Sequence, residues 1–178
     1  MGVSETARKH KATAPKQLHF GIFVCSTLRH QQLRKGEKID DVSGDLIEAL
    51  LKNADHVVAF KKIISDDKVI IEEAVKSVLS SAELDVAIFC GGTGIAPSDV
   101  TIETVSPFFE KALPGFGEIF RRLSYDKVGS AAVLSRAVAG VAKGKALFCI
   151  PGSPDAVRVS VEMLILPEAP HIVRHARE

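Results

Sequence analysis

One stretch of the sequence, FCGGTGIAPSDVTIET at residues 89–104, places a glycine-rich loop next to two carboxylates. The GGTG segment lets backbone N–H groups approach an anion closely, because glycine has no side chain to intervene. Asp99 and Glu103 follow it, four residues apart, with Thr101 between them. Carboxylates beside bound phosphates are usual ligands of Mg²⁺ in proteins. The stretch therefore indicates a site for a phosphorylated ligand and its magnesium ion.

Simpler structural interpretations of the same residues remain open. GGTG matches neither the dinucleotide pattern G-x-G-x-x-G nor the phosphate loop G-x-x-x-x-G-K-[ST], so a tight strand-to-helix turn is an alternative. Asp99 or Thr101 would then cap the following helix, with Glu103 in its first turn. Two acids four apart share a helical face, which is unfavourable unless a cation or the helix N-terminus offsets their charge. Asp66 offers the same choice between helix cap and metal ligand.

The elements that must position these groups alternate between short apolar runs and amphipathic stretches. HFGIFVC, HVVAFKKII and DVAIFC have the composition of buried strands, and helical periodicity separates them, most clearly over residues 70–82. This order predicts right-handed crossovers and a mostly parallel sheet. Gly144 between two lysines predicts a hairpin, and hence one late antiparallel strand.

Local signals predict where the helices begin and end. Ser43 is the expected N-cap of the first clear helix, and one of the aspartates at residues 66–67 is that of the second. Another helix is expected across IETVSPFFEKAL, where Pro107 would kink or end it, and Pro114 should open the next. The segment SPD at residues 153–155 combines a cap, a proline and an acid, which is typical of a helix start. The closing segment PEAPHIVRHARE is expected to be a proline-broken connection.

The predicted strands also predict where a ligand would bind. In open parallel sheets, ligands bind outside the carboxyl ends of the strands, near a switch in strand order. The strands end at Ser26, at Asp66, at residues 91–94 and at residues 151–154. We therefore expect these four segments to line one edge of the sheet and to form one site.

The composition is that of an ordinary globular domain, with 178 residues, 46% hydrophobic, 25% charged and a net charge of +1. This balance gives no argument for nucleic-acid or membrane-surface binding. No apolar run approaches the roughly 18 residues of a membrane-spanning helix, and no signal-peptide core is present. The three cysteines each end an apolar run, which favours buried thiols in a reducing cytoplasm. We expect a flexible tail over residues 1–17 and a single domain over residues 18–178.

Five motifs along the chain are more specific as a set than any one of them. They are GGTG, D-V-T-x-E from Asp99 to Glu103, L-P-G-F-G-E from Leu113 to Glu118, L-S-R-A from Leu134 to Ala137, and I-P-G-S-P from Ile150 to Pro154. In this order, over roughly residues 18–166, they resemble the MogA/MoaB family of molybdenum-cofactor biosynthesis, the molybdopterin adenylyltransferases and their relatives. The extended N-terminus and the long second half favour the MoaB branch.

The resemblance implies a three-layer α/β/α sandwich with a mostly parallel sheet. The implied reaction passes AMP from Mg-ATP to molybdopterin and releases pyrophosphate. Asp66 and Asp99 match the family's catalytic aspartates, and both join Glu103 as implied Mg²⁺ ligands. The positions that match nucleotide- and substrate-binding segments are Ser26, Gly91, Gly92, Thr93, Gly94, Thr101, Glu103, Ser135, Arg136, Pro151, Gly152, Ser153 and Pro154. The family also implies a homo-oligomer, a trimer or a hexamer, and other proteins of the same pathway as partners.

One position departs from the family pattern. Many relatives carry an arginine directly before the aspartate of D-x-T, where this sequence has Ser98. An arginine there would pair bidentately with phosphate, so the charge must come from elsewhere. The candidates are Arg29, Arg34, Lys35 and Arg136. Two other functions therefore stay open: a catalytically weak protein that binds molybdopterin or scaffolds its pathway, and a nucleotide pyrophosphatase on the same fold.

Overall fold

Short runs of β-branched and aromatic residues form the strands of the protein, and the computed structural model describes them within residues 15–178. The strands are β1 (His19–Cys25), β2 (Val57–Ile64), β3 (Val86–Cys90), β4 (Lys111–Ala112), β5 (Val138–Ala142) and β6 (Lys145–Ile150). They form one sheet in the order β2-β1-β3-β6-β5-β4. The first four strands in this order run parallel, whereas β5 is antiparallel to both of its neighbours. The predicted mostly parallel sheet with a late antiparallel strand is confirmed.

Helices connect the strands on both faces of this sheet. They are α1 (Thr27–Arg34), α2 (Val42–Asn53), α3 (Lys68–Ser80), α4 (Thr101–Val105), α5 (Pro114–Val128), α6 (Pro154–Ser160) and α7 (Leu166–Ala176). Two 3₁₀ segments, Ser106–Phe108 and Gly129–Leu134, and one π-helical segment, Val161–Ile165, complete the order of elements. None of the helices within residues 15–178 is both long and apolar enough to cross a membrane.

Alternation along β1 shows how the sheet separates two apolar cores. Phe20, Ile22 and Val24 pack into a cluster that includes residues of α2, α6 and α7. Phe23 and Cys25 point the other way, into a cluster with residues of α3 and α4. Because successive side chains of a strand face opposite sides of a sheet, these two clusters define three layers. The implied α/β/α sandwich is therefore present.

The strand order reverses at β1, and this reversal locates the functional edge. The chain passes from β1 to β2 on one side and then returns to β3 on the other side of β1. The connections that leave β1 and β3 therefore diverge and open a crevice at the carboxyl ends of these strands. The loops after β2 and β6 end at the same edge, because these strands run parallel to β1 and β3.

The structure corrects the predicted cap of α2. Asp41, and not Ser43, is the N-cap residue, and its Oδ1 accepts the N–H of Gly44 at 3.1 Å. Ser43 lies inside the first turn, where its hydroxyl donates to the carbonyl oxygen of Gly152 at 2.6 Å. A capping side chain reaches the N–H group three positions ahead, and only Asp41 has that geometry here. Ser43 therefore ties α2 to the loop after β6.

Of the two alternatives at Pro107, the second is confirmed: the stretch after Thr101 is helical only to Val105, and Pro107 follows in the 3₁₀ segment, because proline cannot donate to the helical ladder. The prediction for the end of the chain was wrong. The C-terminal segment is helix α7 and not a broken connection. Pro167 lies in the first turn of α7, directly after the wide π-helical segment, and Pro170 lies inside the helix, where it cannot donate a hydrogen bond to the ladder.

The predicted tail, residues 1–17, lies largely outside the described residues. Its last residue, Gln17, donates from Nε2 to the carbonyl oxygen of Asp55 at 2.8 Å. This hydrogen bond ties the chain to the turn before β2 just before β1 begins.

Candidate active site

Hydrogen bonds hold together the loops that follow four parallel strands. The N–H of Ser26, after β1, donates to the carbonyl oxygen of Ile64 at 2.9 Å, and that of Gly91, after β3, donates to Ile150 at 3.0 Å. Ser26 also caps α1, because its Oγ accepts the N–H of Arg29 at 3.4 Å. These bonds join β1 with β2 and β3 with β6 at the edge where the four loop segments were expected.

The first two glycines of GGTG adopt backbone conformations that a side chain would disturb. Gly91 has φ of 105° and Gly92 has φ of 60°, both in the left-handed region that favours glycine. A Cβ on Gly91 would lie 2.4 Å from the carbonyl oxygen of Cys25. A Cβ on Gly92 would lie 2.4 Å from both Asp66 Oδ1 and Thr101 Oγ1. Glycine is therefore required here for its φ angle and for the close approach of its neighbours.

Asp66 is free for a role other than capping, because Asp67 caps α3. Asp67 Oδ1 accepts the N–H groups of Val69 and Ile70 at 2.9 and 3.1 Å. Asp66 instead turns towards the loop after β1, where Oδ2 accepts the N–H of Thr27 at 3.0 Å and the Asp66 N–H donates to Thr27 Oγ1 at 3.1 Å. This reciprocal pair fixes the carboxylate of Asp66 against the glycine loop.

The second oxygen of the same carboxylate has no partner. Asp66 Oδ1 is buried and accepts no hydrogen bond, and Thr101 Oγ1, which also faces Gly92, is in the same state. Burial, reinforced by the nearby charge of Asp99, raises the pKa of Asp66 above its ordinary value despite the N–H of Thr27. An unpartnered carboxylate oxygen beside a buried hydroxyl is a pair of hard oxygen ligands of the kind that Mg²⁺ prefers.

Asp99 lies beside the glycine loop but outside helix α4. Its Oδ2 accepts the N–H of Ala96 at 2.8 Å and would lie 2.6 Å from a Cβ on Gly94. Helix α4 begins only at Thr101, with no side-chain cap. The expectation that Asp99 and Glu103 share one helical face is therefore wrong, and so is the alternative in which Asp99 caps this helix.

Glu103 belongs to an ion pair. Its two carboxylate oxygens accept from Nη1 and Nη2 of Arg136 at 2.6 and 3.2 Å. These hydrogen bonds lower the pKa of Glu103 and raise that of Arg136. Arg136 Nε donates in addition to the carbonyl oxygen of Thr93 at 2.9 Å, so the guanidinium is held across the glycine loop.

The predicted set of three carboxylate ligands is not assembled in this arrangement. Within residues 15–178, no three His, Cys, Asp or Glu side chains cluster as a metal site would require. Arg136 engages both oxygens of Glu103, whereas one oxygen of Asp66 has no partner. The residues that fit a magnesium ion are therefore Asp66 and Asp99, with Thr101 beside them, and Glu103 positions Arg136 instead.

A cavity of about 360 Å³ opens over the glycine loop. Its lining brings together most of the predicted binding residues: Gly91, Gly92, Thr93, Gly94, Asp99, Ser135, Arg136, Pro151 and Gly152, together with Leu134. Arg136 is the only cationic side chain among the described residues that line it. Arg29 is not part of this lining and pairs with Asp41, with Nη1 3.3 Å from Oδ1. Of the four basic candidates, Arg136 is therefore the one that lines this cavity.

The other predicted binding residues surround this cavity without lining it. Ser153 caps α6, since its Oγ accepts the N–H of Ala156 at 3.3 Å, and Pro154 is the first residue of that helix. Ser26, Asp66, Thr101 and Glu103 are likewise not part of its lining. Sequence reasoning missed Thr27 and Leu134 as site residues, although each stands next to a residue that it did select.

The cysteines beside the site have no nucleophilic role in this arrangement. Cys25, Cys90 and Cys149 are buried free thiols. Burial raises the pKa of Cys90 to about 12 and also raises those of the other two. Because the thiolate is the reactive form, these groups stay neutral and inert at physiological pH.

These features define an α/β protein of the doubly wound type, with a glycine loop, two aspartates and one arginine at the carboxyl edge of its sheet. A family model described as "Probable molybdopterin binding domain" matches residues 22–171. The chain belongs to this family of molybdopterin-binding domains, as its ordered motifs predict.

Relatives of the chain carry names from molybdenum-cofactor synthesis. It is 41% identical over 174 residues to molybdenum cofactor biosynthesis protein B of Bacillus subtilis, with 97% of this chain and 98% of the relative covered. It is 42% identical to the molybdopterin adenylyltransferase of Pyrococcus furiosus over the full length of both. The crystal structure of the tungsten cofactor synthesizing protein MoaB from Pyrococcus furiosus superposes with a TM-score of 0.77 at 41% identity, covering 93% of this chain and all of that one.

Proposed function

We propose that the protein is a molybdopterin adenylyltransferase, which transfers AMP from Mg-ATP to molybdopterin and releases pyrophosphate. The observation that carries the proposal is the convergence of Asp66 and Thr101 on Gly92, where two buried oxygens without partners lie directly behind an anion-binding loop. Relatives of similar length that carry the name molybdopterin adenylyltransferase support it.

The chemistry needs no general base. A phosphate monoester has its second pKa near ~6, so the terminal phosphate of molybdopterin is largely ionised at neutral pH. One of its oxygens attacks the α-phosphorus of ATP, the bond from that phosphorus to the bridging oxygen of the β-phosphate breaks, and pyrophosphate leaves. The protein must align and neutralise two polyanions, which is the general strategy of phosphoryl-transfer enzymes.

Each part of the site supplies one component of that task. The backbone of the loop from Gly92 to Gly94 would lie against the phosphates, because the Gly91 N–H is already bonded to Ile150, and Arg136 presents its guanidinium at the cavity wall. Asp66 and Asp99 would hold Mg²⁺, which supplies charge neutralisation at the phosphates when bound. Mg²⁺ is commonly held by one or two carboxylates plus substrate phosphates, so two aspartates suffice.

Arg136 supplies the guanidinium that many relatives carry at the position of Ser98. Ser98 is exposed beside Asp99, whereas Arg136 reaches the cavity from the segment before β5. A guanidinium held by Thr93 and Glu103 is already oriented for a phosphate, so little freedom is lost when the ligand binds.

Pyrophosphate release from purified protein given ATP, MgCl₂ and molybdopterin tests this function. The wild-type protein should release pyrophosphate in a molybdopterin-dependent manner. Asp99→Asn should lower kcat by about 100-fold or more, the range for loss of a charged group that acts at the reacting phosphates. Asp155→Asn is the matched control, because Asp155 is exposed in the first turn of α6 and lines no part of the cavity.

Each other result contradicts the proposal in a recognisable way. Molybdopterin binding without pyrophosphate release would identify a binding or scaffolding protein of the pathway. Hydrolysis of nucleotides without molybdopterin would identify a pyrophosphatase. Full turnover in Asp99→Asn would show that Asp99 has no role in the transfer.

We further propose that the protein acts in the cytoplasm as a homo-oligomer. Three buried free thiols suit that compartment. The family resemblance favours a trimer or a hexamer, and other proteins of the pathway are candidate partners. The mass in solution distinguishes these states from a monomer.

A further inference from the structure

Two histidines near the end of helix α7 face each other at the edge of the sheet opposite the candidate active site. His171 and His175 are four residues apart, so they share one face of the helix. Just beyond them, Arg177 Nε donates to the carbonyl oxygen of Gly144 at 3.1 Å, and Gly144 lies directly before β6. The end of α7 therefore lies at the amino edge of the sheet, away from the glycine loop.

The two imidazole rings converge on their Nε2 atoms. The Nε2 atoms of His171 and His175 lie 2.9 Å apart, and the ring centroids are 4.6 Å apart with an angle of 62° between the planes. Two nitrogens at adjacent positions around one metal ion, each bound at roughly 2.0–2.1 Å, are separated by about 2.8–3.4 Å. The distance between the two Nε2 atoms is therefore that of a chelating pair.

A carboxylate lies against the other nitrogen of each ring. Glu168 Oε2 is 3.5 Å from Nδ1 of His171, and Glu178 Oε2 is 2.8 Å from Nδ1 of His175. A neutral ring that donates its Nδ1 proton to a carboxylate has its lone pair on Nε2, which is the form that binds a metal ion. Metal-bound histidines usually have such a carboxylate behind them, because it fixes the tautomer and the orientation of the ring. The segment E-x-x-H-x-x-x-H-x-x-E, residues 168–178, thus supplies two ligands and a support for each.

A cavity of about 420 Å³ beside the two rings has room for an ion and its water molecules. Both histidines line it, together with Glu110 and Lys111 at the edge strand β4 and with Glu178. The acids outnumber the lysine among the described residues of this lining, so its charge favours a cation. Within residues 15–178, no third His, Cys, Asp or Glu completes a cluster with the pair. Water would therefore fill the remaining coordination positions.

We propose that His171 and His175 bind a divalent transition-metal ion such as Zn²⁺ through their Nε2 atoms. Imidazole nitrogens suit zinc, copper and nickel, whereas Mg²⁺ takes oxygen ligands. This site and the aspartates at the carboxyl edge therefore select different ions. The bound ion links two successive turns of α7, and its other positions open into the cavity. The inference does not depend on the proposed adenylyl transfer.

Calorimetric titration of the purified protein with ZnCl₂ tests the site. An excess of MgCl₂ is present throughout, because it competes for sites made of carboxylates. The wild-type protein should bind one Zn²⁺ per chain in the micromolar range, since only two protein ligands are present. His171→Gln and His175→Gln should each weaken this binding by at least about 10-fold, because each removes one of the two ligands. His30→Gln, on α1, is the matched control and should bind Zn²⁺ as the wild type does.

A further variant keeps both ligands and removes one support. Glu178→Gln should weaken Zn²⁺ binding by about 10-fold without changing its stoichiometry, because it only loosens the orientation of the His175 ring. The wild-type protein loaded with Cu²⁺ should show electron paramagnetic resonance splitting from two nitrogens, and each histidine variant should show splitting from one at most.

Two results would overturn the site. One is Zn²⁺ binding that survives unchanged in His171→Gln and His175→Gln. The other is a wild-type protein that binds no Zn²⁺ under these conditions, which would mean that the two rings share only a proton. Both histidine variants should keep the Tm of the metal-free wild type, so that a loss of binding reports the loss of the ligand and not of the fold. Both should also keep normal pyrophosphate release.

Discussion

Asp66 Oδ1 and Thr101 Oγ1 meet at Gly92: each lies 2.4 Å from the position that a Cβ there would take, and neither has a hydrogen-bond partner. The two side chains come from different loops, one after β2 and one at the start of α4. A buried carboxylate oxygen without a partner costs free energy in the unliganded protein. The arrangement therefore favours a cation that arrives with its ligand, and this gives the first prediction.

Replacing Asp66 by Asn should stabilise the unliganded protein at neutral pH. Because the pKa of Asp66 is raised in the folded state, its contribution to stability is complete below its ordinary value of 3.8 and is lost as the pH rises through the folded pKa. Asp66→Asn removes this loss, so its Tm without divalent cations should exceed that of the wild type at pH 7. The difference should disappear below about pH 3.8.

The control for this change is the neighbouring aspartate. Asn caps helices as well as Asp does, so Asp67→Asn should leave Tm nearly unchanged. MgCl₂ with ATP should raise the Tm of the wild type and of Asp67→Asn but not that of Asp66→Asn. A lower Tm for unliganded Asp66→Asn would show that the charge of Asp66 is already compensated within the fold.

Gly92→Ala should be more harmful than the same change at Gly36. Both glycines have positive φ, 60° and 74°, so alanine costs about 1–2 kcal/mol of backbone strain at either position. Only at Gly92 does the new Cβ also meet two oxygens, whereas nothing lies within 4 Å of it at Gly36. Urea unfolding should show the greater loss for Gly92→Ala, and pyrophosphate release should fall in that variant alone. Equal losses at the two sites would mean that the loop after β3 has room to move.

Glu103 should act on catalysis through Arg136. Arg136→Ala should lower kcat/KM for ATP by about 100-fold, and Arg136→Lys should recover only part of this, because lysine lacks the bidentate geometry. Glu103→Gln should lower kcat/KM by a smaller factor. The double variant Glu103→Gln/Arg136→Ala should be no worse than Arg136→Ala, because the ion pair orients one guanidinium. Additive losses would instead give Glu103 a direct role with substrate or metal.

Asp85 should stabilise the opposite edge of the sheet without affecting turnover. Its Oδ2 accepts the N–H of His19 at 2.7 Å, and its Oδ1 accepts from Arg177. Burial alone would raise the pKa of Asp85, but these contacts outweigh it and lower the pKa. Its contribution to stability is therefore present above its ordinary value of 3.8 and is lost as the pH falls through the folded pKa.

Asp85→Asn should lower the free energy of unfolding at pH 7 by about 1–3 kcal/mol, and the difference from the wild type should narrow in acid. The exposed Asp126→Asn, which breaks only an i,i+4 pair with Arg122, should cost less than about 0.5 kcal/mol. Both variants should keep normal pyrophosphate release. Denaturant titrations at pH 3 and pH 7 would measure these differences, and a pH-independent loss for Asp85→Asn would refute the charge-based explanation.

Local sequence patterns were sufficient to predict much of the fold. The unbroken apolarity of DVAIFC identified β3, which is buried along its whole length, and the SPD signal placed the start of α6 at Pro154. The prediction for the C-terminal segment was wrong because it treated the prolines there as helix breakers. Helix α7 tolerates them because Ala169 and Val173 anchor it in the core, a tertiary contribution that outweighs local preference.

The edge at which the loops after β1, β2, β3 and β6 meet follows from the sequence by itself, because alternating strands and helices predict parallel strands that end at the same edge. The order β2-β1-β3-β6-β5-β4 was observed only in the structure. The sequence also placed glycines, hydroxyls and carboxylates on those loops. Only the tertiary structure decided which of them are available: Asp67 caps a helix while Asp66 keeps an oxygen free, and Arg136 rather than Arg29 reaches the cavity. The physical reason is that a polar atom's partner comes from loops distant in the chain, and spacing along the sequence carries no record of those contacts.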